Sequence, residues 1–142
     1  MREILFRGKC QDNGKWVDGF IVASRENTYP DGFEMITVDG INYDELDSYI
    51  PGFISYSVDP STICQYTGLK DKNGNRIFEG DVAKVLQGKD KGIAYVGFEN
   101  GAFMLYPKTG NIYERTLWSY WYNDWDVEVI GNIHDNPELL EK

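Results

Sequence analysis

Asn100-Gly101 constrains the fold of this chain more than any other pair of residues. It stands between Ile93-Ala94-Tyr95-Val96-Gly97-Phe98 and Ala102-Phe103-Met104-Leu105-Tyr106, two strand-like runs of similar length. A two-residue hairpin loop that matches the twist of its strands needs positive φ at both central residues, and Asn-Gly meets that need at little steric cost. The pair recurs at Asn13-Gly14, between Ile4-Leu5-Phe6 and the run Trp16 to Ala23, and at Asn73-Gly74, between Cys64-Gln65-Tyr66-Thr67 and Ile77-Phe78. Each of these two copies is followed by an apolar pair and then an acid-Gly, with spacings one residue apart. We read recurring turn chemistry in this likeness, not an internal repeat. Side-chain usage points the same way. Aromatics, which favour strands, make up 15% of the residues, while Ala stands only at Ala23, Ala83, Ala94 and Ala102.

A chain of 142 residues suits one ordinary domain or two small ones. A boundary is expected near Asp59-Pro60, dividing residues 1–60 from 61–142. Beyond it, strands are predicted over Thr62 to Thr67, Asp81 to Leu86, Gly92 to Phe98, Ala102 to Tyr106 and Val127 to Ile133. Gly80 permits a sharp entry, Val82 and Val85 bracket a strand, and an SH3-like β-barrel would remove the sheet edges by closure. The N-terminal part reads as a smaller β unit with acidic loops. The predicted class is thus mostly β, with short helices only. One is expected over Asn42 to Ile50, with Asn42 as cap, Glu45 three residues on and Pro51-Gly52 as the stop. Another begins at Asn136-Pro137.

Charge limits the partners. The formal net charge is −9. From Asp31 to Pro60 there are seven acids and no Lys or Arg. General nucleic-acid binding is not expected, because phosphate contacts supply most of that affinity. A local basic loop remains, since Ser61 to Lys91 holds Lys70, Lys72, Arg76, Lys84, Lys89 and Lys91 against four acids, 6 − 4 = +2. Cys10 and Cys64 are single and far apart, and with one histidine, His134, they cannot make a tetrahedral zinc site. Two reduced, half-buried thiols are expected. The apolar run after Met1 is too short for a signal peptide, and no stretch approaches the roughly 18 apolar residues of a membrane span. A cytoplasmic, membrane-free protein without metal or cofactor is the expectation.

Chemical constellations are few. Asp71-Lys72-Asn73-Gly74-Asn75 has the wrong glycine position for a calcium loop and reads as a hairpin turn. Glu79 and Asp81 would share one face of an extended strand, the pairing that acid–base chemistry needs. No partner residue accompanies them in a recognisable pattern, and Asp81 reads as an acceptor of backbone hydrogen bonds. His134-Asp135 is a lone dyad. No nucleotide, hydrolase or metalloprotease motif is present.

The run Trp118-Ser119-Tyr120-Trp121-Tyr122-Asn123-Asp124-Trp125 is more telling. Read as a strand, it alternates, with Trp118, Tyr120 and Tyr122 inward and Ser119 and Trp121 outward. The rings then pack onto the N-terminal unit, meet a second copy of the chain, or stack on a ligand. Trp118, Tyr120, Trp121, Tyr122 and Trp125 are the candidate interface or stacking residues.

Asp59-Pro60-Ser61-Thr62-Ile63-Cys64-Gln65-Tyr66-Thr67-Gly68-Leu69-Lys70-Asp71-Lys72-Asn73-Gly74, leading into Ile77-Phe78-Glu79-Gly80-Asp81-Val82, resembles the signature of the YopX family. So do the tail Val127-Glu128-Val129-Ile130-Gly131-Asn132-Ile133 with Asp135-Asn136-Pro137-Glu138-Leu139-Leu140, and the opening Arg2-Glu3-Ile4, Phe6-Arg7-Gly8 and Trp16-Val17. His134 stands where the family pattern has Tyr. The resemblance implies phage or prophage origin and a setting in the host cytoplasm. It implies no cofactor, no catalytic residue and no established activity. The expected function is a non-enzymatic binding or assembly module whose partner is a second copy of the chain or an unknown host or phage protein. The alternatives are a nucleic-acid-associated module using the basic loop, and an enzyme using Glu79 and Asp81.

Overall fold

A computed structural model of the chain describes residues 4–23, 33–41 and 53–141. Their backbone is mostly β, as the turn chemistry predicts. Contacts divide the chain into two compact units, Met1–Gln65 and Tyr66–Lys142. The helix expected over Asn42 to Ile50 lies outside the described residues.

In the first unit, β1 (Phe6–Lys9), β2 (Trp16–Ala23), β3 (Phe33–Ile41), β4 (Phe53–Val58) and the first residues of β5 (Cys64–Lys70) run antiparallel in the order β4-β3-β2-β1-β5. Lys9 stands opposite Trp16, and Arg7 lies two residues back on the same face. The Trp16 ring therefore sits beneath the Arg7 guanidinium, 4.7 Å away, and the Lys9 ammonium, 5.5 Å away. Asn13-Gly14 does not make a two-residue turn. Only Gly14 has positive φ, and the loop is closed by the Cys10 N–H donating to the Lys15 carbonyl at 2.9 Å. Asn13 acts through its side chain instead, accepting from the Lys15 N–H. Pro60–Thr62 is a 3₁₀ turn capped by the Asp59 carboxylate, so β5 begins at Cys64 and not at Thr62. Cys10 and Cys64 are free and fully buried, deeper than expected.

The second unit contains the rest of β5, its hairpin partner β6 (Arg76–Phe78), and a sheet in the order β10-β9-β8-β7-β11. Its strands are β7 (Asp81–Gln87), β8 (Asp90–Glu99), β9 (Ala102–Gly110), β10 (Arg115–Thr116) and β11 (Asp126–Asn132). Asn100 and Gly101 both take positive φ, 52° and 81°, and Glu99 pairs with Ala102 across them. This is the tight hairpin that the sequence predicts. One face of the sheet buries Ala83, Val85, Ala94, Val96, Leu105 and Val127.

A closed barrel does not form among the described residues. β10 and β11 end the sheet unpaired with one another. The chain leaves β10 after two residues and enters the helix α1 (Leu117–Tyr122), whose Leu117 and Tyr120 join the sheet's buried face. A helix thus covers apolar surface that closure would otherwise hide. At the C-terminus, Pro137–Leu140 forms a 3₁₀ turn that begins at Asn136-Pro137 as expected, although Asn136 Oδ1 accepts from the Asn132 N–H and does not cap its own turn.

Candidate functional site

The aromatic run is helical, and this overturns the strand reading. Thr116 precedes α1 as N-cap, its Oγ1 accepting from the Ser119 N–H at 3.2 Å. With helical spacing, Leu117 and Tyr120 share the inner face and are buried. Trp118, Trp121 and Tyr122 point outward, 57%, 53% and 64% exposed. The expected inward trio of Trp118, Tyr120 and Tyr122 is therefore split, and Tyr120 alone of them belongs to the core. Trp118 and Tyr122, four residues apart, stack with centroids 4.9 Å apart. Burial pushes the Tyr120 phenol pKa up, and its hydroxyl donates to the Tyr113 carbonyl.

The helix ends in a left-handed cap. Asp124, at φ 56°, donates its N–H to the Trp121 carbonyl, and Trp125 donates to Tyr120 at 3.1 Å. That geometry folds Trp125 back edge-on to the Tyr120 ring at 5.1 Å. Glycine normally fills the position of Asp124, because a Cβ strains left-handed backbone.

Facing this cap is the loop of the β5–β6 hairpin, in which Lys70 pairs with Arg76. Asn73-Gly74 lies within it, again with positive φ only at the glycine. Asp71 organises the loop. Its Oδ1 accepts from the Asn73 and Asn75 N–H groups, both at 2.9 Å, and its Oδ2 accepts from the Val129 N–H at 3.0 Å. Burial alone would raise the Asp71 pKa, but the hydrogen bonds from Val129, Asn75 and Asn73 outweigh it and hold the carboxyl below its ordinary value. The Lys72 N–H adds a bond to the Val127 carbonyl at 3.0 Å. These bonds dock the loop on β11.

Between loop and helix lies a cleft of about 600 Å³. Leu69, Lys70 and Lys72 form the hairpin wall, Ile77, Leu117 and Val127 are the buried lining, Trp121, Tyr122, Asp124 and Trp125 form the helix wall, and Asp126, the first residue of β11, completes the lining. The structure thus unites Trp121, Tyr122 and Trp125 with Lys70 and Lys72, and sets Trp118 beside them through its stack on Tyr122. Asp124 and Asp126 escaped the sequence reading. Asn123-Asp124 after an aromatic run is a helix-stop signal that could have revealed them.

The rest of the expected basic patch is dispersed. Arg76 lies over the Tyr66 ring at 5.7 Å. Lys84 stands across from Glu128, which is also bridged by Lys72 at 3.4 Å. Lys89 occupies the β7–β8 turn, and Lys91 pairs with Leu86, itself opposite Asp126. Of these bases only Lys84 stands directly opposite a carboxylate, and no continuous basic face forms from them. Glu79 and Asp81 do not share a strand face, since Glu79-Gly80 is a turn. Asp81 is 1% exposed, and its Oδ2 accepts from the Phe78 N–H at 2.8 Å, the backbone role expected of it. His134 and Asp135 donate their N–H groups to Asn132 Oδ1 in a turn. Among the described residues no group of three or more His, Cys, Asp or Glu could hold a metal ion.

Comparison with known proteins gives a family and a fold. The sequence model of the YopX protein family matches residues 5–141. No curated protein matches the chain. The crystal structure of protein EF1440 from Enterococcus faecalis is similar, with a TM-score of 0.55 and 24% identity over 99% of this chain and 100% of that one. At that identity the likeness shows the fold alone.

Proposed function

The chain belongs to the YopX family, and from that premise we propose that it is a non-enzymatic binding module, phage- or prophage-encoded and acting in the host cytoplasm, that assembles with its own copies through α1. The observation that carries this reading is the outward face of the helix. Trp118, Trp121 and Tyr122 are each more than half exposed on a helix of six residues. Exposed rings grouped in this way mark interaction surfaces.

Magnitudes decide what kind of assembly the face supports. A fully buried aromatic side chain removes roughly 150–250 Å² from water. At the observed exposures of 57%, 53% and 64%, the three rings offer roughly 300–400 Å², a little under half of the roughly 800 Å² per partner of a standard interface. They are the centre of an interface, with polar neighbours as its rim. A two-fold axis lets the same patch serve both partners. A reversible dimer fits this area better than an obligate one.

Light scattering across concentrations up to tens of micromolar, on the order of −6 kcal/mol of association, tests the reading. The wild-type mass should rise above that of the monomer. Trp121→Ala should return it to the monomer with the far-UV circular dichroism unchanged, because the ring is outside the core. A wild-type protein that stays monomeric throughout that range refutes self-assembly.

A further inference from the structure

We propose that the cleft between α1 and the β5–β6 loop takes a cationic side chain, arginine foremost, presented by a peptide segment of a partner protein. This goes beyond self-assembly and needs no second copy of the chain. The volume, about 600 Å³, falls in the range of roughly 300–1,000 Å³ typical of ligand sites. It accommodates one long side chain with its flanking backbone. Trp121, Tyr122 and Trp125 give the helix wall three aromatic rings, and a guanidinium stacks on such faces while keeping its edge donors free.

Charge selects a cation. Asp124, in the cap of α1, and Asp126, the first residue of β11, line the same cleft as the rings, and among the described residues neither has an ion pair or a side-chain hydrogen bond. On the opposite wall Lys72 is neutralised by Glu128 at 3.4 Å, leaving Lys70 as the remaining cation. A phosphate stacked against the rings would face two carboxylates. A guanidinium in the same place is matched by them and can donate two parallel N–H bonds to one carboxylate. The position of Asp124 adds weight. Its left-handed backbone favours glycine, and its negative charge lies beside the carbonyl end of α1, where the helix dipole opposes it. A residue unfavourable on both counts nonetheless lines the cleft, where a carboxylate has a use in binding.

The test uses the full chain below the concentration at which it assembles, with Trp118→Ala as a second background, since Trp118 is outside the cleft lining. The probes are acetyl-Gly-Arg-Gly-amide and its citrulline and glutamate counterparts, read through the indole NMR signals of Trp121 and Trp125. Arginine should give saturable shifts of both signals. The neutral, isosteric citrulline peptide should bind about five- to tenfold more weakly, the scale of a partly desolvated cation–π contact with carboxylate support. The double variant Asp124→Asn, Asp126→Asn should bind arginine and citrulline alike while its other signals stay in place. Equal binding of citrulline and arginine by the wild type overturns the proposal. So does tighter binding of the glutamate peptide or of a short oligothymidylate, or the absence of any indole shift with arginine up to about 10 mM, which is about −3 kcal/mol. Failure of self-assembly leaves these outcomes unaffected, so the two readings fall separately.

Discussion

Asp71 should be the side chain on which the cleft most depends. Its carboxylate accepts three backbone N–H groups, from Asn73, Asn75 and Val129, and through the last it ties the hairpin loop to β11. A hydrogen bond to a charged acceptor contributes about 1.5–3 kcal/mol. Asn73 and Asn75 are exposed, so water replaces much of what they would lose, while Val129 is only partly accessible. Asp71→Ala should therefore cost about 2–3 kcal/mol, and Asp71→Asn about half of that, because the amide keeps one acceptor oxygen. Urea denaturation at neutral pH measures both, and amide exchange at Val129 should accelerate in either variant. The pH dependence follows from the direction of the Asp71 shift. Its folded pKa lies below the unfolded value of 3.8, so its stabilisation is complete above that value and disappears as pH falls through the folded pKa. The difference between wild type and Asp71→Asn should be flat from about pH 5 upward and should shrink in stronger acid. Equal midpoints for wild type and Asp71→Ala, or a wild-type advantage that persists undiminished in strong acid, would refute the assignment.

Gly101→Val should destabilise the fold by about 1–3 kcal/mol through backbone strain, because φ is 81° and open space surrounds the site; an unchanged denaturation midpoint contradicts this. Asp124→Gly should raise stability by about 1 kcal/mol by relieving left-handed strain and removing a charge from the helix end, while weakening binding of the arginine peptide; a lower melting temperature would show that the carboxylate supports the fold. The hydrogen bond that Tyr106 donates to Glu99, at 2.5 Å, pushes the phenol pKa up to about 12. Stability from that bond is complete below the ordinary value of 10.0 and is lost as pH rises toward about 12. Glu99→Gln should bring the ultraviolet titration of Tyr106 back toward 10.0, and an unmoved titration would sever the pair.

Much of the fold is legible because its strongest signals are local. Asn100-Gly101 meets a demand on two φ angles that few other pairs satisfy, and β8 and β9 extend from it in register. Asn13-Gly14 and Asn73-Gly74 carry the same letters in different turns. What separates them is an acceptor side chain, Asn13 itself in one case and Asp71 in the other, closing a longer loop. The choice between a closed barrel and an open sheet is less local still. It depends on how the chain covers the apolar face after β10, and α1 supplies that cover with only Leu117 and Tyr120.

The site was half legible for a related reason. The residue types in Trp118 to Trp125 mark the segment as a candidate recognition surface, but which rings face outward depends on the period. Aromatic content argues for a strand on propensity, a weak preference that tertiary context overrides. Here the Thr116 cap and the burial of Leu117 and Tyr120 three residues apart impose the helix. Under a period of two, Trp118 and Tyr122 go inward with Tyr120; under the helical period they emerge with Trp121 as one face. The helical period also requires a stop, and the stop places Asp124 and Trp125 at the cleft. Lys70 and Lys72, separated from the aromatic run by more than forty residues, reach the same cleft because Asp71 between them is bonded to Val129. Of the bases beyond the hairpin, Lys84 stands opposite Glu128 on β11, and none of Arg76, Lys84, Lys89 and Lys91 lines the cleft.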